Sequence, residues 1–149
     1  ATLEVNGAGG LTSILARFPG RVEVSWPVVD LRALAYPDRS FGLVGHSDTL
    51  EHVDPNGGGF KGALRECYRV LRPGGALCFT VPTLVGKLTR ATEGRPPTYH
   101  EPSPTPDAGL RVHTEFGADV WGYCLEVGFK RVEFTCIEWP AGLAITARR

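Results

Sequence analysis

The sequence predicts an α/β fold: a mostly parallel sheet with helices on both faces, ended by an antiparallel C-terminal hairpin. Three observations carry that prediction. The apolar run Thr2–Val5 enters the glycine cluster Gly7, Gly9 and Gly10, then a stretch of helical spacing, then a second strand-like run. That is the order of a parallel βαβ unit. An amphipathic stretch over residues 59–71 leads through Arg72-Pro73-Gly74-Gly75 into the continuous apolar run 76–81 (ALCFTV), the pattern of a strand covered on both faces. Two further runs, 131–137 and 143–147, lie close enough in sequence to pair antiparallel. At 149 residues, one domain with one core is expected across residues 1–149.

Each element has its own local reason. Leu11, Ile14, Leu15 and Phe18 are spaced for one helical stripe, which Pro19-Gly20 stops, and Arg21–Ser25 (RVEVS) then reads as a strand. Phe41–His46 (FGLVGH) is the third strand-like run, entered through the turn Tyr36-Pro37-Asp38-Arg39. In the stretch 59–71, Phe60, Leu64, Cys67 and Leu71 form one stripe, with Arg65, Glu66 and Arg69 elsewhere. The turn after it has glycines able to take positive φ. Residues 94–109 hold Pro96, Pro97, Pro102, Pro104 and Pro106 and little periodicity, so a long loop is expected. Thr114 is expected to cap a helix over 116–127, with Gly128 as its stop and Trp121 packed in the core.

Composition narrows the function classes. Sixteen basic and sixteen acidic side chains give zero formal net charge, leaving no basic field to hold nucleic acid or an anionic membrane. No run approaches the ~20 apolar residues of a membrane span, and no signal-peptide pattern is present. Cys67, Cys78, Cys124 and Cys136 form no CxxC pair, so free thiols in a reducing, cytoplasmic setting are expected. There is no methionine, so Ala1 is read as other than a native start. Arginine outnumbers lysine 13 to 3, and the chain holds 19 Gly and 12 Pro, a bias that fits a GC-rich, bacterial source.

Taken singly, the glycine cluster is a weak signal, because the GxGxxG spacing of dinucleotide sites is incomplete. The order of motifs says more. LEVNGAGG (Leu3–Gly10), DLRALAYPDRSFGLV (Asp30–Val44), SDTLEHV (Ser47–Val53), LRECYRVLRPGGALCFTVP (Leu64–Pro82) and HTEFGADVWGYCLEVGF (His113–Phe129) follow one another along almost the whole chain. Together they resemble class I S-adenosylmethionine-dependent methyltransferases, in the branch labelled methyltransferase type 11. The resemblance implies a Rossmann-like fold and S-adenosylmethionine as cofactor. It also implies methyl transfer to a small-molecule acceptor, with O-methylation one form of it. The alternative is a catalytically silent methyltransferase-fold binding module.

The resemblance also implies roles. Gly7, Gly9 and Gly10 would let the backbone approach the cofactor. Glu4 would take part in holding the amino-acid end, whose ammonium offers a charge-assisted partner. Asp30 would receive the adenine amino group, with the Leu31 amide beside it, and Ser47 would lie at the carboxyl edge of the sheet. Read from residue chemistry alone, Asp30 is equally a turn or helix cap. His52 is either a general base near neutral pH or a brace that ties its loop to the sheet. No metal is expected, since no second His or Cys stands at a firm ligand spacing from it. Trp26 is placed to stack on adenosine or to pack in the core, and Tyr99 and His100 to contact the acceptor from a lid over residues 94–113. Three departures from the family pattern stand out. Asn6 occupies the place of the first glycine, or else one residue is inserted there, and the third strand is compressed or missing between Val24 and Asp30. The acid that ends strand two is missing, and Glu23 appears about two residues early.

Overall fold

Side-chain alternation decides how the sheet is covered. The structure, a computed structural model, describes residues 1–99, 111–136 and 143–149. Its main strands are β1 (Thr2–Val5), β2 (Arg21–Val24), β3 (Phe41–Ser47) and β4 (Leu71–Thr80). Short strands β5 (Thr83–Leu84), β6 (Arg90–Ala91), β7 (Thr98–Tyr99), β8 (Arg111–Val112) and β9 (Thr114–Gly117) follow. The chain finishes with β10 (Arg131–Cys136) and β11 (Leu143–Arg148). The helices are α1 (Thr12–Leu15), α2 (Gly59–Val70) and α3 (Val120–Val127).

Six strands form one sheet in the order β10-β11-β4-β3-β1-β2. β1 pairs parallel with β2 and β3, and β3 pairs parallel with β4. β11 inserts antiparallel between β4 and β10, which is the expected terminal hairpin. The register Leu3↔Val44↔Leu77↔Ala147 and Val5↔His46↔Phe79↔Ile145 puts these residues on one face, and all of them are buried. α2 and α3 contribute Leu64, Cys67, Val70, Val120 and Cys124 to the same core. Burying each such Leu or Val contributes roughly 1.5–3 kcal/mol. Cys67 and Cys124 remain free thiols there, with burial pushing both up to about 12.

The opposite face carries smaller residues and only α1, whose Leu15 Cδ1 lies 3.4 Å from where a Cβ on Gly45 would stand. The expected full helical layer on both faces is therefore present on one face and short on the other. The helix expected over 11–18 shrinks to a 3-10 turn at Gly9–Leu11 followed by the four residues of α1. Leu15 alone of its stripe is buried, while Leu11, Ile14 and Phe18 are exposed. Between β2 and β3 the chain runs in turns, so the family's third strand is absent there. Arg69 holds this stretch to α2, donating to the carbonyls of Leu34 (2.9 Å) and Tyr36 (2.8 Å), while Glu66 accepts from Leu34 N–H (3.0 Å). The turn 72–75 becomes a bulge in β4, between the pairs Phe41↔Leu71 and Leu43↔Ala76, with Gly74 at φ 77°.

The late helix is the largest correction. Residues 114–117 are strand β9, paired with β5 and β6, and the helix starts only at Val120. Phe116 is buried edge-on against Phe60 (5.0 Å between ring centres), and a Cβ on Gly117 would collide with the Lys87 and Leu88 backbone. Tertiary packing thus takes these residues out of the helix. Thr114 is no cap, and Asp119 spends its carboxylate on Thr89 N–H (2.7 Å). Trp121, expected in the core, is 46% exposed because the inward face of α3 is Val120 and Cys124. Among the described residues, no helix is long and apolar enough to cross a membrane.

Candidate active site

Parallel strands end together, and the loops leaving their carboxyl ends surround a crevice. Here that crevice is a cleft of about 610 Å³. Val5 and Asn6 reach it from β1, Ser25 and Trp26 from the end of β2, and Thr49 and His52 from the turn after β3. Asp30–Arg32 line one wall, and Val53, Asp54, Arg111 and His113 complete the other. Asn6 joins the strand ends. At φ 59° it adopts the left-handed conformation that glycine usually supplies and that asparagine tolerates best among other residues. Its Oδ1 accepts from Trp26 N–H at 2.8 Å, and its Nδ2 donates to Thr49 Oγ1 at 3.5 Å.

The first wall is organised by Asp30. Its Oδ1 accepts the Arg32 N–H at 2.8 Å, a turn closed by the side chain, and its Oδ2 accepts Arg32 Nη2 at 2.7 Å. The Arg32 hydrogen bonds hold the Asp30 carboxyl below its ordinary value, against the opposing effect of burial. Arg32 also donates to the carbonyls of Asp54 (3.0 Å) and Asn56, which ties the first wall to the second. The Leu31 N–H has no protein acceptor among the described residues.

The second wall is organised by the buried turn Leu50–His52. Glu51 is buried, and burial, reinforced by repulsion from Asp48, pushes its carboxyl up to about 8. It is therefore mainly protonated at neutral pH. The Glu51 carbonyl accepts from His113 N–H at 2.7 Å, and His52 Nδ1 lies 2.9 Å from the Arg111 carbonyl. These two bonds strap residues 111–113 across the turn. A carbonyl can only accept, so Nδ1 carries the proton and Nε2 of neutral His52 carries the lone pair. His52 Nε2 stands 3.8 Å from Glu51 Oε1.

Of the residues singled out in the sequence, Asp30, Leu31, His52 and Trp26 line the cleft. Trp26 is 58% exposed there, which removes the core-packing alternative. Glu4 does not line it. Its side chain is wholly buried on the other face of the sheet, where Oε1 accepts from Ala8 N–H (2.8 Å) and Thr12 Oγ1 (2.6 Å) and Oε2 pairs with Arg21 Nε (2.7 Å). Burial alone would raise its pKa, but these donors outweigh it and lower it. Glu4 thus holds the glycine turn from behind.

Gly7, Gly9 and Gly10 adjoin Asn6 without lining the cleft. Ser47 also faces away, bonded to Thr80 Oγ1 at 2.8 Å. Glu23 pairs with Arg21 at 2.6 Å, so the residue that ends β2 in the cleft is Ser25. Tyr99 sits in β7 outside the lining, and His100 with the rest of 100–110 lies outside the described residues. Thr114, read as a helix cap, instead opens β9, and His113 belongs to the strap. Sequence reasoning missed Arg32, Thr49 and Arg111. Only Arg32 had a usable signal, its spacing of two from Asp30, which suits a side-chain-closed turn.

Comparison with known proteins bears on the fold. Residues 8–79 match the family model described as a methyltransferase domain. No curated protein sequence matches the chain significantly. Among solved structures, a S-adenosylmethionine-dependent methyltransferase from Methanosarcina mazei is 15% identical with a TM-score of 0.58, over 99% of this chain and 91% of that one. A methyltransferase from Mesorhizobium loti is 16% identical with a TM-score of 0.59, over 99% and 90% of the two chains. The 1,6-didemethyltoxoflavin-N1-methyltransferase of Burkholderia thailandensis, solved with 1,6-didemethyltoxoflavin and S-adenosylhomocysteine, is 16% identical. Its TM-score is 0.60, over 100% of this chain and 71% of that one. The family match runs from the glycine turn after β1 to the end of β4, just under half of the chain, and the likeness to these S-adenosylmethionine-dependent methyltransferases is one of fold along its whole length.

Proposed function

We propose that the chain transfers the methyl group of S-adenosylmethionine to a small-molecule hydroxyl, with the cofactor and acceptor sharing the cleft at the ends of β1–β3. The residues present fit the cofactor. A Cβ built at Gly7, Gly9 or Gly10 meets nothing within 4 Å, so the glycine turn has open space before it. The unsatisfied Leu31 N–H and the adjoining Asp30 carboxylate offer a donor and an acceptor side by side, which is what an adenine edge requires. Ser25 would meet the ribose with a hydroxyl, and Gly7, Gly9 and Gly10 would give room to the amino-acid end. Glu4 and Ser47 support the turn and the strand end from the far face of the sheet.

When bound, the cofactor supplies an activated methyl carbon, so alignment of the acceptor supplies much of the rate. The chain's own contribution beyond alignment is His52. Its proton is fixed on Nδ1 by the Arg111 carbonyl, so Nε2 is the atom able to take the proton of an acceptor hydroxyl. That fixed tautomer, in a side chain lining the cleft, is the observation that carries the O-methylation reading. Burial pushes the carboxyl of the neighbouring Glu51 up to about 8, so it is mainly neutral at pH 7.

Calorimetric titration with S-adenosylhomocysteine tests the cofactor half: saturable binding that is weakened by substitution of Asp30 supports it. A folded sample showing no heat and no melting shift at millimolar ligand would sink it.

A further inference from the structure

We infer that Asn6 is a positioning residue, whose carboxamide fixes the two walls of the cleft at the spacing a bound cofactor needs. The inference rests on reading the cleft as a methyltransferase site. It begins where the sheet stops. The ladder between β1 and β2 ends at Val5↔Val24, and that between β1 and β3 ends at Val5↔His46. One further backbone bond follows, from Asn6 N–H to the Val24 carbonyl at 2.8 Å. Ser25, Trp26 and Thr49, the cleft residues that follow β2 and β3, lie beyond these ladders. Backbone pairing with β1 therefore does not set where they stand.

The Asn6 side chain supplies the missing link on both sides at once. A carboxamide presents an acceptor and a donor in one rigid group. Here Oδ1 accepts from Trp26 N–H at 2.8 Å, and Nδ2 donates to Thr49 Oγ1 at 3.5 Å. Thr49 Oγ1 donates its own hydrogen to the Ser47 carbonyl at 3.0 Å, which leaves its lone pair for Asn6. The Thr49 carbonyl in turn accepts from His52 N–H at 3.1 Å. Asn6 thus joins the exit of β2 to the turn that carries His52, and all four residues line the cleft. A glycine would take φ 59° at least as readily but has no carboxamide with which to make this bridge. The bond to Trp26 N–H is open to solvent, so water could satisfy that group and the bond adds little to stability. Water could not hold two strand exits together. Loss of the bridge should therefore fall on binding, because walls that are ordered only as the ligand enters cost affinity.

The test measures S-adenosylhomocysteine affinity by calorimetry and the melting temperature of the unliganded chain. It compares the wild type, Asn6→Gly, Thr49→Val, Thr49→Ser and the double variant Asn6→Gly/Thr49→Val. Asn6→Gly should bind about fivefold more weakly, with its melting temperature within about 3 °C of the wild type. Thr49→Val removes the acceptor of Nδ2 and leaves the Asn6 backbone alone, so it should reproduce part of that loss. Thr49→Ser keeps the hydroxyl and should bind as the wild type does. The double variant should bind no more weakly than Asn6→Gly. Unchanged affinity in Asn6→Gly overturns the inference. So do losses that add in the double variant, which would give Thr49 its own contact with the ligand. A melting temperature that falls further than stated, in step with affinity, would make Asn6 a structural residue and overturns it too. If the folded wild type binds no S-adenosylhomocysteine, the functional reading fails and this inference with it; binding by the wild type beside indifferent variants removes this inference alone.

Discussion

The two walls of the cleft handle charge in opposite ways. On the wall of residues 25–32, and in the turn behind it, charges are consumed internally: Asp30 by Arg32, Glu4 by Arg21. On the wall of residues 49–54 and 111–113, a carboxyl is buried in its neutral form, an imidazole has its tautomer set by a carbonyl, and Arg111 has no ion pair among the described residues. Satisfied charges fix shape, because breaking them exposes an uncompensated partner. Groups held in a less stable electrostatic state are the ones whose state can change during a reaction. The first wall therefore reads as a frame for binding and the second as the place where chemistry occurs.

Substitutions on the two walls should separate accordingly. The largest effect is expected at His52. If its Nε2 accepts the proton, His52→Ala lowers turnover by roughly 10²–10⁴-fold with cofactor affinity kept within a few-fold. A variant that instead melts earlier, binds cofactor weakly and keeps its rate per bound complex would make His52 a brace and erase the contrast between the walls.

Next comes Glu4, whose removal leaves Arg21 beside a buried, unmatched site. Glu4→Ala should destabilise the fold by about 3 kcal/mol in urea unfolding, the lower part of the range for broken buried pairs since Arg21 keeps some access to water. A loss of cofactor affinity without loss of stability would contradict its place behind the turn.

Asp30 tests the frame itself. Asp30→Ala should weaken S-adenosylhomocysteine binding by roughly 1–3 kcal/mol, the range for hydrogen bonds to a charged group. Asp30→Asn, which keeps an acceptor for the Arg32 N–H, should preserve the melting temperature. If the two variants melt and bind alike, the oxygen that accepts the Arg32 N–H is irrelevant to the wall.

The gentlest probe is pH. Glu51 has a folded pKa raised to about 8 from an ordinary 4.5, so its contribution is complete below pH 4.5 and is lost as pH rises through 8. Glu4 and Asp30 have lowered values, so their contributions hold above pH 4.5 and 3.8 and fade in acid. His46, buried on the core side of β3 with both ring nitrogens unbonded, adds to the acid limb, since burial lowers its pKa from 6.5 to about 3. Its contribution is complete above pH 6.5 and declines below. Stability should therefore fall on both sides, with any single group setting a slope of at most about 1.4 kcal/mol per pH unit. Glu51→Gln should remove the fall between pH 6.5 and 8 and leave the acid limb alone. An unchanged alkaline limb would show that Glu51 ionises normally.

The six strands of the main sheet were readable because each is a short apolar or alternating run beside turn residues, and α2 because its stripe repeats over three turns; the two- and four-residue strands β5 to β9 were not. Residues 114–117 were not, since four residues of mixed polarity fit either period and only the packing of Phe116 on Phe60 decides between them. Asp30, Leu31 and His52 were legible through motif order. The role of Glu4 was not, because whether a carboxylate faces a ligand or an arginine depends on which face of the strand is covered, a property of α1 and β2 together. Arg111 left no local trace at all. Its importance comes from the strap that carries it to His52, a contact across 59 positions of sequence.

Asn6 has a consequence beyond its geometry. A glycine at φ 59° would reach that conformation from a broad unfolded ensemble, whereas asparagine gives up fewer alternative states to hold it. The turn that leaves β1 is then ordered before any ligand arrives, and less entropy is lost when one binds. A pre-ordered turn slows the escape of whatever it holds more than it speeds capture. Under the proposed function, Asn6→Gly should therefore release S-adenosylhomocysteine faster than the unaltered chain does.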